Sequence, residues 1–158
     1  MKINCLCSLL MVAMLIVSCD KFNPCVRGES KTKCNTTTSV YVMNSTYNTI
    51  QVGNAVVQAA AKKKLTSMDT GVPGLHPEYI REYFGGDTVL IKFNDSVAIK
   101  HIVLRTDTAW VYIPEVHNIY DIESWNTGYN GDSWTSWAVY TITETDCKIA
   151  QDYMNENR

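Results

Sequence analysis

The chain has 158 residues, of which 14 are basic and 16 acidic, so its formal net charge at pH 7 is −2. Apolar residues make up 46% and charged residues 19%, a balance that is typical of globular proteins and not of disordered or fibrous ones. The slight acidity, without a block of basic residues, excludes the electrostatic pattern of nucleic-acid-binding proteins.

The first residues of the chain have the pattern of a secretory signal. Lys2 supplies a positive charge, and residues 5–17 form an uncharged apolar run. The run is shorter than the ~20 residues that a membrane-spanning helix needs, so it indicates a signal peptide and not an anchor helix. No later stretch reaches membrane length. We therefore expect a signal peptide over residues 1–18.

The end of the apolar run, Ile16-Val17-Ser18-Cys19, resembles a bacterial lipobox. The resemblance implies cleavage after Ser18, attachment of diacylglycerol to the Cys19 thiol, and acylation of the new amino terminus. Several acyl chains hold a domain on a membrane, because each buried methylene contributes about 0.8 kcal/mol. The alternative is an ordinary secretory signal in which Cys19 joins a disulfide. Apart from this covalent lipid, we expect no cofactor.

Three cysteines follow Cys19. Cys25 and Cys34 flank a polar stretch, and a disulfide between them would stabilise the folded chain by about 2–3 kcal/mol. Cys147 would then be unpaired, and its place in the apolar stripe of a predicted helix indicates a buried, unreactive thiol. Residues 19–38 are rich in Lys, Asn, Ser and Thr, so we interpret them as a lipidated tether.

The β-rich part of the chain starts with two predicted strands, residues 40–43 and 49–52, around an Asn-Ser-Thr turn. Residues 55–65 fit either a helix that Asn54 caps or an edge strand that the lysines at 62–64 protect from pairing. We expect the lysine triplet to be a solvated face, and contact with anionic lipid is the alternative.

The rest of the chain alternates strand patterns with turn signals. The pattern predicts a helix over 77–84, a hairpin of strands over 88–93 and 97–104, and strands over 110–113 and 134–142. Thr143, followed three residues later by Asp146, has the form of a capping box and predicts a C-terminal helix. The sequence therefore predicts an all-β domain over residues 39–158, an antiparallel Ig-like β-sandwich with a short C-terminal helix. An α+β fold is the alternative.

Two segments carry a family resemblance, Gly-Asp-Thr-Val-Leu-Ile-Lys-Phe at 86–93 and Val-Tyr-Thr-Ile-Thr-Glu-Thr-Asp-Cys at 139–147. Together with the lipobox they resemble small, uncharacterised Bacteroides-type outer-membrane lipoproteins. Cys147 departs from the pattern, since such proteins have a tyrosine at this position. The resemblance implies an Ig-like sandwich on the outer membrane, on its periplasmic or its surface side, and it implies no particular activity.

Motifs for catalysis or metal binding are not found in the sequence. The three histidines lack the spacing of a zinc site, and the strand pattern around His101 indicates a packing residue. Asp121 and Glu123 are the one acid pair that suits glycoside hydrolysis, which needs two carboxylates about 5–9 Å apart. We expect these two acids to be solvated loop residues. The sequence therefore predicts no metal site and no catalytic residue, and an envelope hydrolase is the weaker alternative.

An aromatic-rich window runs from Tyr120 to Tyr140. Its tryptophans and tyrosines alternate with asparagines and glycines, a pattern enriched where loops bind sugars or other proteins. The candidate ligand-binding residues are Trp125, Asn126, Tyr129 and Trp134. The alternative is a loop that its aromatics attach to the sandwich, with Trp137 and Tyr140 in the core.

These features together predict a membrane-anchored lipoprotein of the cell envelope. Its domain is expected to be a non-catalytic binding or structural module. A surface carbohydrate-binding module that uses the loop from Trp125 to Trp134 is the alternative. The partners expected from the sequence are the membrane, through the lipid, and a glycan or an envelope protein, but not nucleic acid.

Overall fold

The computed structural model describes residues 36–70, 74–130 and 135–156. Some of the predicted features lie outside these residues: cleavage and lipidation at Ser18 and Cys19, the disulfide of Cys25 with Cys34, and the side chain of Trp134. Within the described ranges, no helix is both long and apolar enough to span a bilayer.

The described parts of the chain form nine strands and two α-helices. In order they are β1 (Thr37–Asn44), β2 (Ile50–Val52), β3 (Ala55–Val57), β4 (Lys62–Asp69), α1 (Pro77–Phe84), β5 (Thr88–Lys92), β6 (Ala98–Arg105), β7 (Trp110–Ile113), β8 (Trp125–Tyr129), β9 (Thr135–Ile142) and α2 (Glu144–Glu156). A short 3-10 helix, Ile122–Ser124, precedes β8.

The strands form two sheets, one with the order β4-β1-β9-β8 and one with the order β3-β2-β5-β6-β7. Neighbouring strands are antiparallel except β1 and β9, which run parallel from the pair Thr37–Thr135 to the pair Asn44–Ile142. The mainly-β sandwich with a short C-terminal helix confirms the predicted fold class.

The core consists of the inward-facing residues of both sheets. Burial alternates along β1, and along β9 except at Val139, in the way that a strand with one covered face requires. The largest fully buried side chains include Val40, Val42, Ile50, Val52, Phe93, Ile91, Tyr120, Tyr140 and Ile142. The opposite face of each strand in the four-stranded sheet is therefore left for solvent or for a ligand.

Helix α1 begins and ends as its sequence predicts. Pro77 occupies the first turn, and the backbone N–H of Glu78 donates to the His76 ring. Gly85 adopts the left-handed conformation, φ +73°, which favours glycine because a Cβ atom would be strained there. The backbone N–H groups of Gly85 and Gly86 then satisfy the last carbonyls of the helix.

Helix α2 begins with the predicted capping box. The Asp146 carboxylate accepts hydrogen bonds from the backbone N–H and the hydroxyl of Thr143, at 2.7 and 2.8 Å. Cys147 and Ala150 are buried on the same side of the helix. Cys147 is a free, buried thiol, as its position in the apolar stripe predicts.

Three sequence predictions are resolved by the strands. Residues 55–65 form β3 and the start of β4, which is the edge-strand alternative and not the helix. β1 begins at Thr37, so residues 37 and 38 of the predicted tether belong to the strand. Residues 125–129, predicted as part of a loop, form β8, because they pair with β9 from Trp125–Tyr140 to Tyr129–Ser136.

Candidate ligand-binding site

Trp125, the first of the predicted ligand-binding residues, belongs to the core. Its side chain is only 6% exposed, and its indole N–H donates to the carbonyl of Ile119 at 2.8 Å. The indole also packs against Tyr140, with 5.3 Å between the ring centroids. A ligand at the surface has no access to this indole, so Trp125 is removed from the candidate set.

The other described candidates, Asn126 and Tyr129, are exposed but separate. They lie three positions apart on β8, so they project from opposite faces of the sheet. Tyr129 is 62% exposed. Asn126 pairs with Val139 and faces outward, on the side of the sheet away from the core. The predicted residues therefore do not form one site.

A different pair of aromatic residues lies on the outer face of the four-stranded sheet. Tyr41 of β1 and Trp137 of β9 both alternate with buried neighbours and are themselves half-buried. Their strands are adjacent and parallel, with Tyr41 opposite Val139 and Trp137 opposite Ser39. The two aromatic side chains are therefore diagonal neighbours on one surface, within reach of a single ligand.

Gly128 makes room for Trp137. The two residues are cross-strand partners on β8 and β9. A Cβ atom at position 128 would lie 2.5 and 2.7 Å from two carbons of the indole. The indole can therefore lie over β8 only because residue 128 has no side chain.

Lys62 and Asn130 complete a shallow groove with these aromatics. The groove has a volume of about 260 Å³ and is lined by Tyr41, Lys62, Asn130 and Trp137; we call it the Tyr41–Trp137 groove. Lys62 places its ammonium group 4.3 Å from the centroid of the Tyr41 ring and 5.8 Å from that of Trp137. Pockets that enclose small molecules measure roughly 300–1,000 Å³, so this groove suits one side of a flat ligand.

The sequence gives only part of the signal for this groove. Alternation along β9 predicts that Trp137 and Tyr140 face opposite sides of the sheet, although the alternative interpretation placed both in the core. Tyr41 and Lys62 could not be associated with Trp137 from the sequence, because the pairing of β1 with both β4 and β9 is needed to bring them together.

A buried polar cluster of His101, His117, Tyr140 and Asp146 lies between the strands and α2. Nδ1 of His117 is 2.5 Å from an Asp146 oxygen, and the Tyr140 hydroxyl donates to the His117 carbonyl at 2.5 Å. Burial lowers the pKa of His101 to about 4 and raises that of Tyr140. Nδ1 of the neutral His101 ring accepts from the backbone N–H of Ile119 at 2.9 Å. These polar groups are thus bonded to the protein itself.

Burial raises the pKa of Asp146, but the hydrogen bonds from His117 and Thr143 outweigh it, so the pKa lies below its ordinary value. Cys147, the next residue, has a raised pKa because of burial and the nearby carboxylates of Glu144 and Asp146. A thiol with a raised pKa carries little of the thiolate that a nucleophile needs. The cluster therefore stabilises the junction of α2 with the sheets.

The acid pair predicted as the weaker, hydrolytic alternative is part of a turn. The Asp121 carboxylate accepts from the backbone N–H of Glu123 at 3.1 Å and from the hydroxyl of Ser124 at 3.4 Å. Glu123 lies within the same 3-10 helix and is exposed. Among the described residues, no group of three or more His, Cys, Asp or Glu side chains could hold a metal ion.

A larger groove of about 690 Å³ lies at the other sheet, beside Gln51, Asn94 and Met154. Two of its polar side chains form hydrogen bonds within their own turns. Asn94 accepts from the backbone N–H groups of Ser96 and Val97, and the Gln51 amide donates to the Gly53 carbonyl. This groove has no aromatic platform, since its one aromatic residue, Phe93, is buried.

No protein-family model, curated protein or solved structure matches this chain. The function of the Tyr41–Trp137 groove has to be inferred from its own chemistry. An aromatic surface with an ammonium group over one of its rings and an amide in its lining is suited to a ligand that is flat, apolar on one face and polar around its rim.

Proposed function

We propose that the protein is a lipid-anchored component of the cell envelope whose β-sandwich binds carbohydrate without catalysis. The observation that carries the proposal is the position of the Trp137 indole, which lies over Gly128 on the outer face of the sheet beside Tyr41. A sugar ring presents C–H groups on one face and hydroxyls around its edge. Aromatic rings can cover the C–H face, and the Asn130 amide and Lys62 offer hydrogen bonds to the hydroxyls.

The proposed anchor is the lipid on Cys19, at the outer membrane. The lipobox Ile16-Val17-Ser18-Cys19 and the polar stretch that follows it support this part of the proposal. A domain held in this way is concentrated at the envelope, where polysaccharides are abundant. The outer face of the four-stranded sheet would then be the surface that a glycan approaches.

The proposal is tested by titrating the full chain with a panel of neutral and acidic oligosaccharides. The chain should be held in a detergent without a sugar headgroup, which would compete for the groove. A ligand at a hundredfold its dissociation constant stabilises the folded state by about 2.7 kcal/mol, so both melting and tryptophan fluorescence would report it.

Two variants decide whether a response comes from the groove. Trp137→Ala is expected to abolish it, whereas Tyr47→Ala is expected to leave it unchanged, since Tyr47 is 90% exposed and is not one of the residues that line the groove. No response to any glycan, or a response that Trp137→Ala retains, would contradict the proposal.

A second candidate function, binding of an envelope protein, is favoured by the outer face of the five-stranded sheet. Five apolar side chains there are between 37% and 47% exposed: Val56, Leu90, Leu104, Val111 and Ile113. Leu104 and Val111 are cross-strand partners, so the exposed apolar area is continuous across β6 and β7. A photo-cross-linker at position 104 is expected to capture a protein in intact envelopes, and one at position 47 is the control.

A further inference from the structure

Among the lining residues that the structure describes, Lys62 is the only charged one in the Tyr41–Trp137 groove. It lies on β4 opposite Met43, an outward-facing position, and its side chain reaches back across Tyr41. Lys64, opposite Tyr41, faces outward on the same strand. Two ammonium groups therefore belong to the face of the sheet that carries the aromatic rings.

These positive charges are not neutralised within the described residues. The ion pairs found there join Arg81 to Asp87 and Arg105 to Glu78, and the His117 ring is hydrogen-bonded to Asp146. None of them involves Lys62 or Lys64. A cation that lies over aromatic rings, without a carboxylate beside it, leaves an attractive position for an anion at the rim of the groove.

We infer that the Tyr41–Trp137 groove selects an acidic sugar residue, such as a uronate or a sialate, over its neutral counterpart. The inference rests on the proposed function. A sugar ring that covers the Trp137 indole would direct its edge substituents toward Lys62, whose ammonium lies 5.8 Å from the centroid of that indole and 4.3 Å from the centroid of Tyr41. A carboxylate in that place would form a charge-assisted hydrogen bond, which is about twice as strong as a neutral one.

The arrangement of the lysines favours a local ligand over an anionic membrane surface. A flat membrane would need the three ammonium groups of residues 62–64 to project in one direction. Lys62 is instead directed over the aromatic rings, and Lys63 lies on the other side of the strand, where it donates to the carbonyl of Val56 at 3.0 Å. The triplet is therefore divided between two faces of β4.

The test compares matched pairs of ligands that differ in charge. The first pair is galacturonate trisaccharide and its methyl ester, and the second is sialyllactose and its methyl ester. We expect the acidic member of at least one pair to bind the full chain about five- to tenfold more tightly, a difference that corresponds to one charge-assisted contact at a partly exposed site. The preference should decrease as salt is added, because exposed charges are screened.

Lys62→Met should remove the preference, so that the acidic member of a pair binds no more tightly than the neutral member. Lys100→Met, which removes an exposed lysine from β6 of the other sheet, is the matched control and should behave like the unaltered chain. If both members of each pair bind equally and Trp137→Ala abolishes both, the inference about charge is wrong and the proposed function stands.

Two further outcomes overturn the inference in other ways. If no glycan gives a response that depends on Trp137, the proposed function fails and the inference fails with it. If the Cys19→Ser chain instead binds vesicles of phosphatidylglycerol and phosphatidylcholine, with Lys62→Met reducing that binding and no glycan competing, the lysines serve a membrane contact.

Discussion

At position 128, only a hydrogen atom leaves room for the indole of Trp137. Replacing glycine by alanine within a strand is ordinarily favourable for the strand, because glycine has excess conformational freedom when unfolded. Here the new methyl group would lie 2.5 Å from a ring carbon. Any loss of stability on this substitution would therefore come from the displaced indole.

We predict that Gly128→Ala lowers the free energy of unfolding by about 1–3 kcal/mol, the usual cost of overpacking. Urea denaturation measures this loss, and glycan titration should show weaker binding because the indole is displaced. Thr127→Ala, at an exposed neighbouring position of β8, is the control. Unchanged binding by Gly128→Ala would show that the position of Trp137 does not shape the site.

His101 makes the stability of the fold depend on pH. Its side chain is 3% exposed, and burial lowers its pKa from 6.5 to about 4, an effect that His117 strengthens and the Asp146 charge opposes. The unfolded chain therefore binds more protons between these two values. Stability from this residue is complete above pH 6.5 and is lost as the pH falls toward 4.

The expected loss over that interval is about 3 kcal/mol, since each pKa unit corresponds to about 1.4 kcal/mol. Chemical denaturation at a series of pH values measures it. His101→Gln keeps a hydrogen-bond acceptor but does not titrate, so it should be less stable at neutral pH and should lose less stability than the unaltered chain between pH 6.5 and 4. An equal slope in the variant and the unaltered chain would contradict the assignment.

At the scale of an element, helix α2 depends on one carboxylate. Asp146 accepts hydrogen bonds from Thr143 at the start of the helix. It is also hydrogen-bonded to His117, which lies in the connection between β7 and β8. Its position thus joins three segments: the end of β9, the first turn of α2 and the connection before β8. A change at residue 146 should therefore loosen the helix as a unit.

We predict that Asp146→Asn destabilises the fold by about 1–3 kcal/mol, because a cap and a charged hydrogen bond are both weakened. Asp152→Asn, at an exposed site of the same helix, should change stability little. Circular dichroism during thermal unfolding compares the two variants. The pKa of Asp146 is lowered in the folded state, so its contribution is present above its ordinary pKa of 3.8 and is lost in stronger acid.

At the scale of the whole molecule, the sequence predicts the class of the fold but not how its strands are arranged. Alternating apolar residues mark β1, β5, β6 and β9, and glycine, proline and the capping box mark both helices. β8 could not be predicted, because its Asn, Thr and Gly residues are typical of loops and only pairing with β9 makes it a strand. In β8, tertiary contacts outweigh the low strand propensity of these residues.

Less of the candidate site than of the fold could be predicted from the sequence. The high density of aromatic residues predicted Trp125 as a ligand-binding residue. In the fold, Trp125 belongs to the core, because its indole N–H donates to a backbone carbonyl inside the sandwich. The partners of Trp137 come from β1 and β4, and parallel pairing of the first and ninth strands is not encoded in any local pattern. Trp137 itself is inside the aromatic-rich window that the sequence analysis identified.

The proposed anchor gives a prediction for the entire chain. Cys19→Ser should abolish lipid attachment, so the protein should move from the membrane to the soluble fraction and lose the mass of its acyl chains. Fractionation and intact-mass spectrometry measure the two effects. Cys147→Ser, which alters a buried thiol of α2, is the control. A Cys19→Ser chain that stays in the membrane fraction would contradict a lipid anchor.

The most direct measurement of glycan binding at the Tyr41–Trp137 groove is a ¹⁵N–¹H spectrum of the full chain, which has four tryptophan indole N–H groups. Galactose trisaccharide and galacturonate trisaccharide would be added in turn. If glycans bind at the groove, the Trp137 signal should shift with ligand, while the Trp125 signal should stay fixed because its N–H donates a hydrogen bond inside the core. A fixed Trp137 signal with shifts elsewhere would contradict binding at the groove.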